Sequence, residues 1–180
     1  MARRPPDDSK LLVISFDDPL RAQEFLLASA RLQRAGDIQV HDAVIIRRDA
    51  DGTSHVQETS DVTPGQAGVG AGVVGLLLGT LFGGPIGGLV VGAASAGGGA
   101  LYAKIVDTGV RDATIAQLRK AVPPGRTAVA LLVSHVSVAD LQRELVRFPH
   151  ATLVETDLPP AAVHAVSDAL EEANREPFTG

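Results

Sequence analysis

The sequence contains no cysteine and no tryptophan, and only one tyrosine and one methionine among 180 residues. Without cysteine the chain has no disulfide, no thiolate nucleophile and no cysteine-ligated metal site. The scarcity of Trp and Tyr removes most of the side chains on which nucleic-acid bases stack. A net charge of −5, with both signs interspersed, argues against a nucleic-acid-binding face.

Charge is also absent from one long segment. Residues 62–103 contain no Asp, Glu, Lys or Arg, and they hold fourteen of the nineteen glycines, many at four-residue spacing. On a helix, positions i and i+4 lie on one face, and a stripe of small residues there lets a second helix approach closely. We therefore predict the following helix-packing and oligomerisation residues: Gly68, Gly72, Gly75, Gly79, Gly83, Gly84, Gly87, Gly88, Gly92 and Ala96.

The length of this tract predicts a helical hairpin. Residues 64–82 and 86–103 provide two arms of nineteen and eighteen residues, close to the ~20 that a spanning helix needs. Gly83, Gly84 and Pro85 form the predicted turn between them. The hairpin is predicted to enter a bilayer or, because its second arm is only weakly apolar, to be buried between subunits of a soluble oligomer. A flexible loop is the third reading, disfavoured because residues 76–78 would form an exposed apolar patch.

Outside the tract, the apolar pattern predicts alternating strands and helices. A strand at 11–16 precedes a helix with Asp18 as N-cap, Pro19 as its first residue and Gly36 as C-cap. Leu20, Leu27, Phe25 and Leu32 mark the apolar face of that helix. A hairpin of strands 40–47 and 53–58 follows, with a turn at 48–52. After the tract, a helix near 110–122, a strand at 127–133, a helix after Ser137, a strand at 151–155 and a helix from 160 are predicted.

This order, βαββ and then αβαβα, predicts an α+β, ferredoxin-like sandwich in which βαββαβ is the core and αβα an extension. Residues 1–10 are predicted as a mobile tail, 11–61 and 104–176 as the ferredoxin-like domain, and 62–103 as the inserted glycine-zipper hairpin.

The search for chemistry yields no catalytic, cofactor-binding or metal-binding residue. The histidines lack metal-binding spacing, and we expect them to be solvated or locally hydrogen-bonded. Residues 70–75 match the letters G-x-G-x-x-G, but no acidic residue follows at the ~20-residue distance of a dinucleotide site. Arg47 and Arg48 are expected to be solvated charges, with contact to anionic lipid as the alternative.

Several short motifs in a fixed order resemble a bacterial family of predicted membrane proteins classed as a domain of unknown function. They are Asp42-Ala43-Val44, the turn 48–52, the glycine zipper, Asp107-Thr108-Gly109, residues 124–128 and Thr156-Asp157-Leu158, and together they cover about residues 11–175. The resemblance implies a membrane-associated protein of unknown activity, and it supplies no catalytic residue.

The sequence therefore predicts a non-enzymatic, membrane-associated protein whose hairpin drives homo-oligomerisation. Its expected location is the cytoplasmic face of the inner membrane, with the cytoplasm as the alternative. The expected partners are further copies of the chain and the lipid bilayer. A soluble homo-oligomeric scaffold, shell or cage is the first alternative function, and a small-ligand or lipid-binding sensor is the second.

Overall fold

The computed structural model describes residues 5–58, 72–82, 85–86, 89–90 and 98–175 and shows an α+β protein. The strands are β1 (Lys10–Phe16), β2 (Ile38–Arg48), β3 (Ser54–Glu58), β4 (Pro85–Ile86), β5 (Leu89–Val90), β6 (Thr127–Val136) and β7 (Thr152–Asp157). The helices are α1 (Pro19–Ala35), α2 (Val73–Phe82), α3 (Gly98–Asp107), α4 (Asp112–Ala121), α5 (Val138–Leu145) and α6 (Pro160–Arg175).

The strands form one sheet in the order β5-β4-β3-β2-β6-β1-β7. The five longer strands are neighbours in the order β3-β2-β6-β1-β7, and each adjacent pair of them is antiparallel. Strand β6 lies between β1 and β2, and β7 lies on the other side of β1. We had predicted the strand at 151–155 as part of an extension, but it is an integral strand of the sheet. The reason is that β1 is buried on both faces and needs a hydrogen-bonded neighbour on each side.

Helices cover both faces of the sheet, which makes it the middle layer of three. On the first face, α1 and α5 pack over β1, β2 and β6, and three phenyl rings meet there with centroids 5.5–5.8 Å apart: Phe16, Phe25 and Phe148. On the second face, α2, α4 and α6 pack over the alternate residues of the same strands. Because both faces are covered, seven consecutive residues of β6, from Thr127 to Val133, are buried.

The predicted N-cap and C-cap of α1 are confirmed, but its predicted apolar face is not. Asp18 Oδ1 accepts a hydrogen bond from the Leu20 N–H at 2.8 Å, and Gly36 ends the helix with φ of 85°. However, the side chains of Leu20 and Leu27 are each 65% exposed, whereas Phe25 and Leu32 are buried. Our prediction of a face shared by all four was wrong, because the helix turns its Ala22–Phe25–Leu32 side toward the sheet.

The hairpin at 48–54 has the predicted turn residue, with a small shift in register. Gly52 has φ of 90°, as its place in the turn suggested. Strand β2 extends one residue further than predicted, to Arg48, which pairs with Ser54, and His55 pairs with Arg47. Within the predicted tail of residues 1–10, Pro5 and Ser9 are buried, residues 6–8 are exposed, and Lys10 begins β1.

The glycine tract is described at 72–82, 85–86, 89–90 and 98–103. Helix α2 contributes ten residues to the second face of the sheet. Pro85–Ile86 and Leu89–Val90 are extended, and β4 pairs in parallel with β3 through Val56 and Ile86. The second arm, predicted as a helix over 86–103, is therefore helical only from Gly98 in its described part. In the part of the chain that the structure describes, we find no helix with the length and apolar character to cross a bilayer.

Candidate functional site

A long-range polar contact lies at the start of α2. Asp42 Oδ2 accepts a hydrogen bond from the Val74 N–H at 2.7 Å, and Asp42 Oδ1 accepts one from the Ala43 N–H at 2.8 Å. The first N–H groups of a helix have no partner within the helix and carry its positive dipole end. A carboxylate from β2 therefore caps α2 from 32 residues away in the sequence.

A glycine makes room for this cap. A Cβ atom added at Gly72 would overlap both carboxylate oxygens of Asp42, and it would lie 2.7 Å from Cγ of that residue. The register of β2 against β6 shifts on either side of Val40, which is a bulge-like irregularity just before Asp42. Such irregularities re-aim the following side chain. The bulge and the glycine together let the carboxylate reach the helix backbone.

The other end of α2 is held by a guanidinium. Arg119 of α4 donates to the Leu81 carbonyl oxygen through Nη2 at 2.8 Å and Nε at 3.3 Å. A cation at this end complements the negative pole of the helix dipole. Arg48 of β2 in turn donates to the carbonyls of Arg119 and Val122 at 3.2 and 3.1 Å. Arg48, expected to be solvated, is instead half-buried at the end of α4.

Burial determines the protonation behaviour of the capping carboxyl. Desolvation raises the pKa of Asp42 above its ordinary value, and the hydrogen bonds from Val74 and Ala43 oppose that rise. The two effects have opposite signs because burial disfavours the charged form, whereas N–H donors favour it. We call the set of Asp42, Gly72, Val74, Leu81 and Arg119 the α2 clamp.

Some of the predicted helix-packing and turn residues lie within the described residues, and the others do not. Gly75 and Gly79 are buried in α2, a helix that packs on β2, β3 and β6 and against α3 and α6 of the same chain. Gly72 faces Asp42, and Pro85 belongs to β4. The remaining predicted positions lie outside the described residues: Gly68, Gly83, Gly84, Gly87, Gly88, Gly92 and Ala96.

The histidines on the two predicted hairpin strands do not share a site. His41 Nε2 lies 2.7 Å from Ser134 Oγ, and that hydroxyl lies 3.2 Å from Gln39 Oε1. His55 Nε2 lies 2.9 Å from Asp49 Oδ2 in the turn. Both are locally hydrogen-bonded, as predicted. Within the described ranges, three or more His, Asp or Glu side chains do not converge on any position suited to a metal ion.

Sequence reasoning missed Asp42 and Arg119 as the residues that hold α2. One signal was available for Asp42, since it is the only acidic residue within an apolar strand, Val40 to Ile46, and a carboxylate there needs partners when buried. Arg119 gave no comparable signal, because a basic residue near the end of a helix ordinarily serves that helix.

Comparison with known proteins adds a family but no activity. The chain matches the family described as "Protein of unknown function (DUF1269)" over residues 67–171. No curated protein and no solved structure matches the chain.

Proposed function

We propose, from the premise that the chain belongs to the DUF1269 family of proteins of unknown function, that it is a non-enzymatic, homo-oligomeric scaffold. In this proposal the α+β domain carries the glycine-rich segment 83–97, and that segment packs between copies of the chain. The partners are further copies of the same protein.

One observation carries this proposal: α2, the described helix in the first half of the uncharged tract, is part of the domain core. The side chains of Val74, Leu77, Leu78 and Leu81 are buried on the second face of the sheet. The α2 clamp fixes both ends of the helix. The three consecutive leucines of the tract therefore pack within one chain, which supports a role for the tract that does not depend on lipid.

The part of the tract between α2 and α3 is short and rich in small residues. Residues 83–97 contain six glycines and no charge, and they are fewer than the ~20 residues that a spanning helix requires. A segment of this composition gains little from lipid but permits close backbone contact with another chain. This favours a buried contact between subunits.

We also propose that the domain has a ferredoxin-like arrangement. The support is the order β7-β1-β6-β2, with α1 connecting β1 to β2 and α5 connecting β6 to β7, and both helices on the first face. This assignment places β3 and α2 to α4 in the long connection between β2 and β6. It differs from the predicted grouping, in which β3 was a core strand and β7 was not.

The experiment is a paired leucine substitution in the glycine series. Gly88→Leu with Gly92→Leu should lower the native mass measured by light scattering after gel filtration, because bulky side chains block close approach. The control is Ala93→Leu with Ala94→Leu, which adds the same apolar bulk to the same segment away from the four-residue stripe. An unchanged mass in the glycine variant would refute the scaffold.

A second candidate, membrane association, rests on the absence of charge from all of residues 62–103. It places the protein at the cytoplasmic face of a membrane, anchored by the glycine tract. Lysis without detergent separates the two proposals. Protein that stays with membranes after an alkaline wash supports the anchor and contradicts the soluble scaffold, whereas soluble protein of large native mass does the reverse. The ligand-sensor alternative stays a prediction.

A further inference from the structure

The edge of the sheet at β7 combines two features that recur in self-pairing proteins. Strand β7 pairs with β1 on one side, and no strand among the described residues pairs with its other side. Beside it, α4 presents small and polar residues on the side away from its buried Ile115 and Leu118. The two elements border a groove of ≈ 460 Å³, lined by Ala113, Ala116, Gln117, Lys120, Thr152 and Val154.

We propose that this edge binds a second copy of the chain about a twofold axis perpendicular to the sheet. In the dimer, β7 pairs antiparallel with β7 of the other copy, and α4 packs antiparallel against the other α4. An isologous contact of this kind uses the same patch on both subunits. The strand pairing supplies main-chain hydrogen bonds, and the alanines of α4 let the two helices approach closely.

Charge complementarity favours a second copy over another partner. Helix α4 carries Asp112 in its first turn and Arg119 and Lys120 in its last turn. When two such helices run antiparallel and cross near Ala116 and Gln117, Lys120 of each copy lies beside Asp112 of the other. Arg119 is occupied at Leu81 of its own chain, which leaves Lys120 as the cation on this face.

The strand charges are compatible with the same axis. With Val154 at the centre, Glu155 lies opposite Leu153 of the other copy, and Asp157 lies opposite Ala151, so no two acidic residues face each other. Glu155 is also neutralised within its own chain, since Lys10 Nζ donates to its Oε1 at 2.6 Å. Leu153, whose side chain is 37% exposed, becomes covered in this register.

The first test introduces a charge at the proposed axis. Ala116→Glu places two carboxylates face to face in the dimer, and Ala116 is exposed, so the fold should be retained. We expect the dimer dissociation constant, measured by analytical ultracentrifugation, to rise about tenfold or more. Ala139→Glu on α5, also an exposed alanine, is the control and should leave the constant unchanged. A dimer that survives Ala116→Glu, or a wild-type domain without any dimer, overturns the proposal.

The second test is a charge exchange. Lys120→Glu alone and Asp112→Lys alone each create like-charge contacts across the axis and should weaken the dimer. The double variant Asp112→Lys with Lys120→Glu restores opposite charges and should recover the wild-type affinity. A partial loss in each single variant without recovery in the double variant would contradict the antiparallel α4 pair.

The described residues of the glycine segment, in β4 and β5, lie at the edge of the sheet opposite β7, so the two proposals are tested by different variants. Gly88→Leu with Gly92→Leu should reduce a large assembly to the β7-mediated dimer. Ala116→Glu should leave contacts through residues 83–97 intact. A monomer produced by the glycine variant alone would refute the β7 dimer while leaving the scaffold proposal standing.

Discussion

Helices α1 and α2 lie on opposite faces of the same sheet, and they are fixed at their ends in opposite ways. The caps of α1 come from its immediate neighbours, since Asp18 serves its first turn and Gly36 its last. The caps of α2 come from Asp42, 32 residues before Val74, and from Arg119, 38 residues after Leu81. One helix is specified by its own sequence and the other by the sheet and helix around it.

This difference shows why the glycine tract can be helical at all. Glycine costs ~1 kcal/mol relative to alanine within a helix, and α2 contains Gly75 and Gly79. Burial of its leucines and two dipole-matched caps offset that cost. An isolated α2 would be a poor helix, whereas the residues that cap α1 lie next to it in the sequence.

The largest expected effect comes from truncating one leucine of each helix, buried in α2 and exposed in α1. Leu78→Ala should lower the free energy of unfolding by about 2–5 kcal/mol, because Leu78 is fully buried in α2. Leu27→Ala on α1 should cost less than about 0.5 kcal/mol, because Leu27 is 65% exposed. Urea unfolding of both variants measures the difference. Equal costs would mean that α2 does not pack in the domain core.

A smaller loss of stability is expected when a glycine at one end of each helix is replaced by alanine. Gly72→Ala should cost about 1–3 kcal/mol, because the added methyl group overlaps the Asp42 carboxylate and weakens the cap. Gly36→Ala should cost about 1 kcal/mol from its positive φ alone, since nothing lies within 4 Å of the added atom. Thermal unfolding of the two variants provides the measurement, and a harmless Gly72→Ala would contradict the close contact with Asp42.

The smallest effect concerns pH. Because the pKa of Asp42 is raised in the folded state, the native protein binds more protons than the unfolded chain between the ordinary and the raised pKa. The free energy of unfolding therefore falls as pH rises through that window, and Asp42→Asn should remove this decline.

Asp51 is the control of opposite sign for that experiment. The Thr53 N–H lowers the pKa of Asp51, so its stabilising contribution is present above the ordinary carboxyl pKa and is lost as pH falls through the lowered one. Urea unfolding over a pH series should show that Asp51→Asn removes this acid-side loss. An Asp42→Asn profile that coincides with the wild type at every pH would show that the carboxyl is not buried against α2.

Much of the fold was predictable because its signals are local. The buried run of β1, the Asp18 and Gly36 caps, the positive φ of Gly52 and the strand after Pro124 all follow from neighbouring residues. These features depend on backbone conformation within a few positions, and the sequence displays them directly.

The placement of α2 was not predictable in the same way. From the sequence, we expected Leu77 and Leu78 to be buried in lipid or against a second subunit. The apolar surface that covers them is instead built from β2, β3 and β6 of the same chain. Val44, Val56 and Leu132 share that surface only after the strands have paired. The hydrophobic periodicity of the sequence does not predict which strands pair. For the candidate site, the sequence shows Asp42 as an isolated charge in an apolar strand, but it does not predict that α2 is the helix that Asp42 caps.

The position of β6 has a consequence for synthesis of the chain. Strand β1 leaves the ribosome before both of its neighbours, β6 and β7, which are made after residue 126. Pairing between residues so far apart in sequence forms slowly, and an unpaired apolar strand is prone to aggregate in the meantime. Strands β1, β2 and β3 are therefore made before the sheet can be completed, and a chaperone that shields Leu11 to Phe16 during that interval should raise the yield of folded protein.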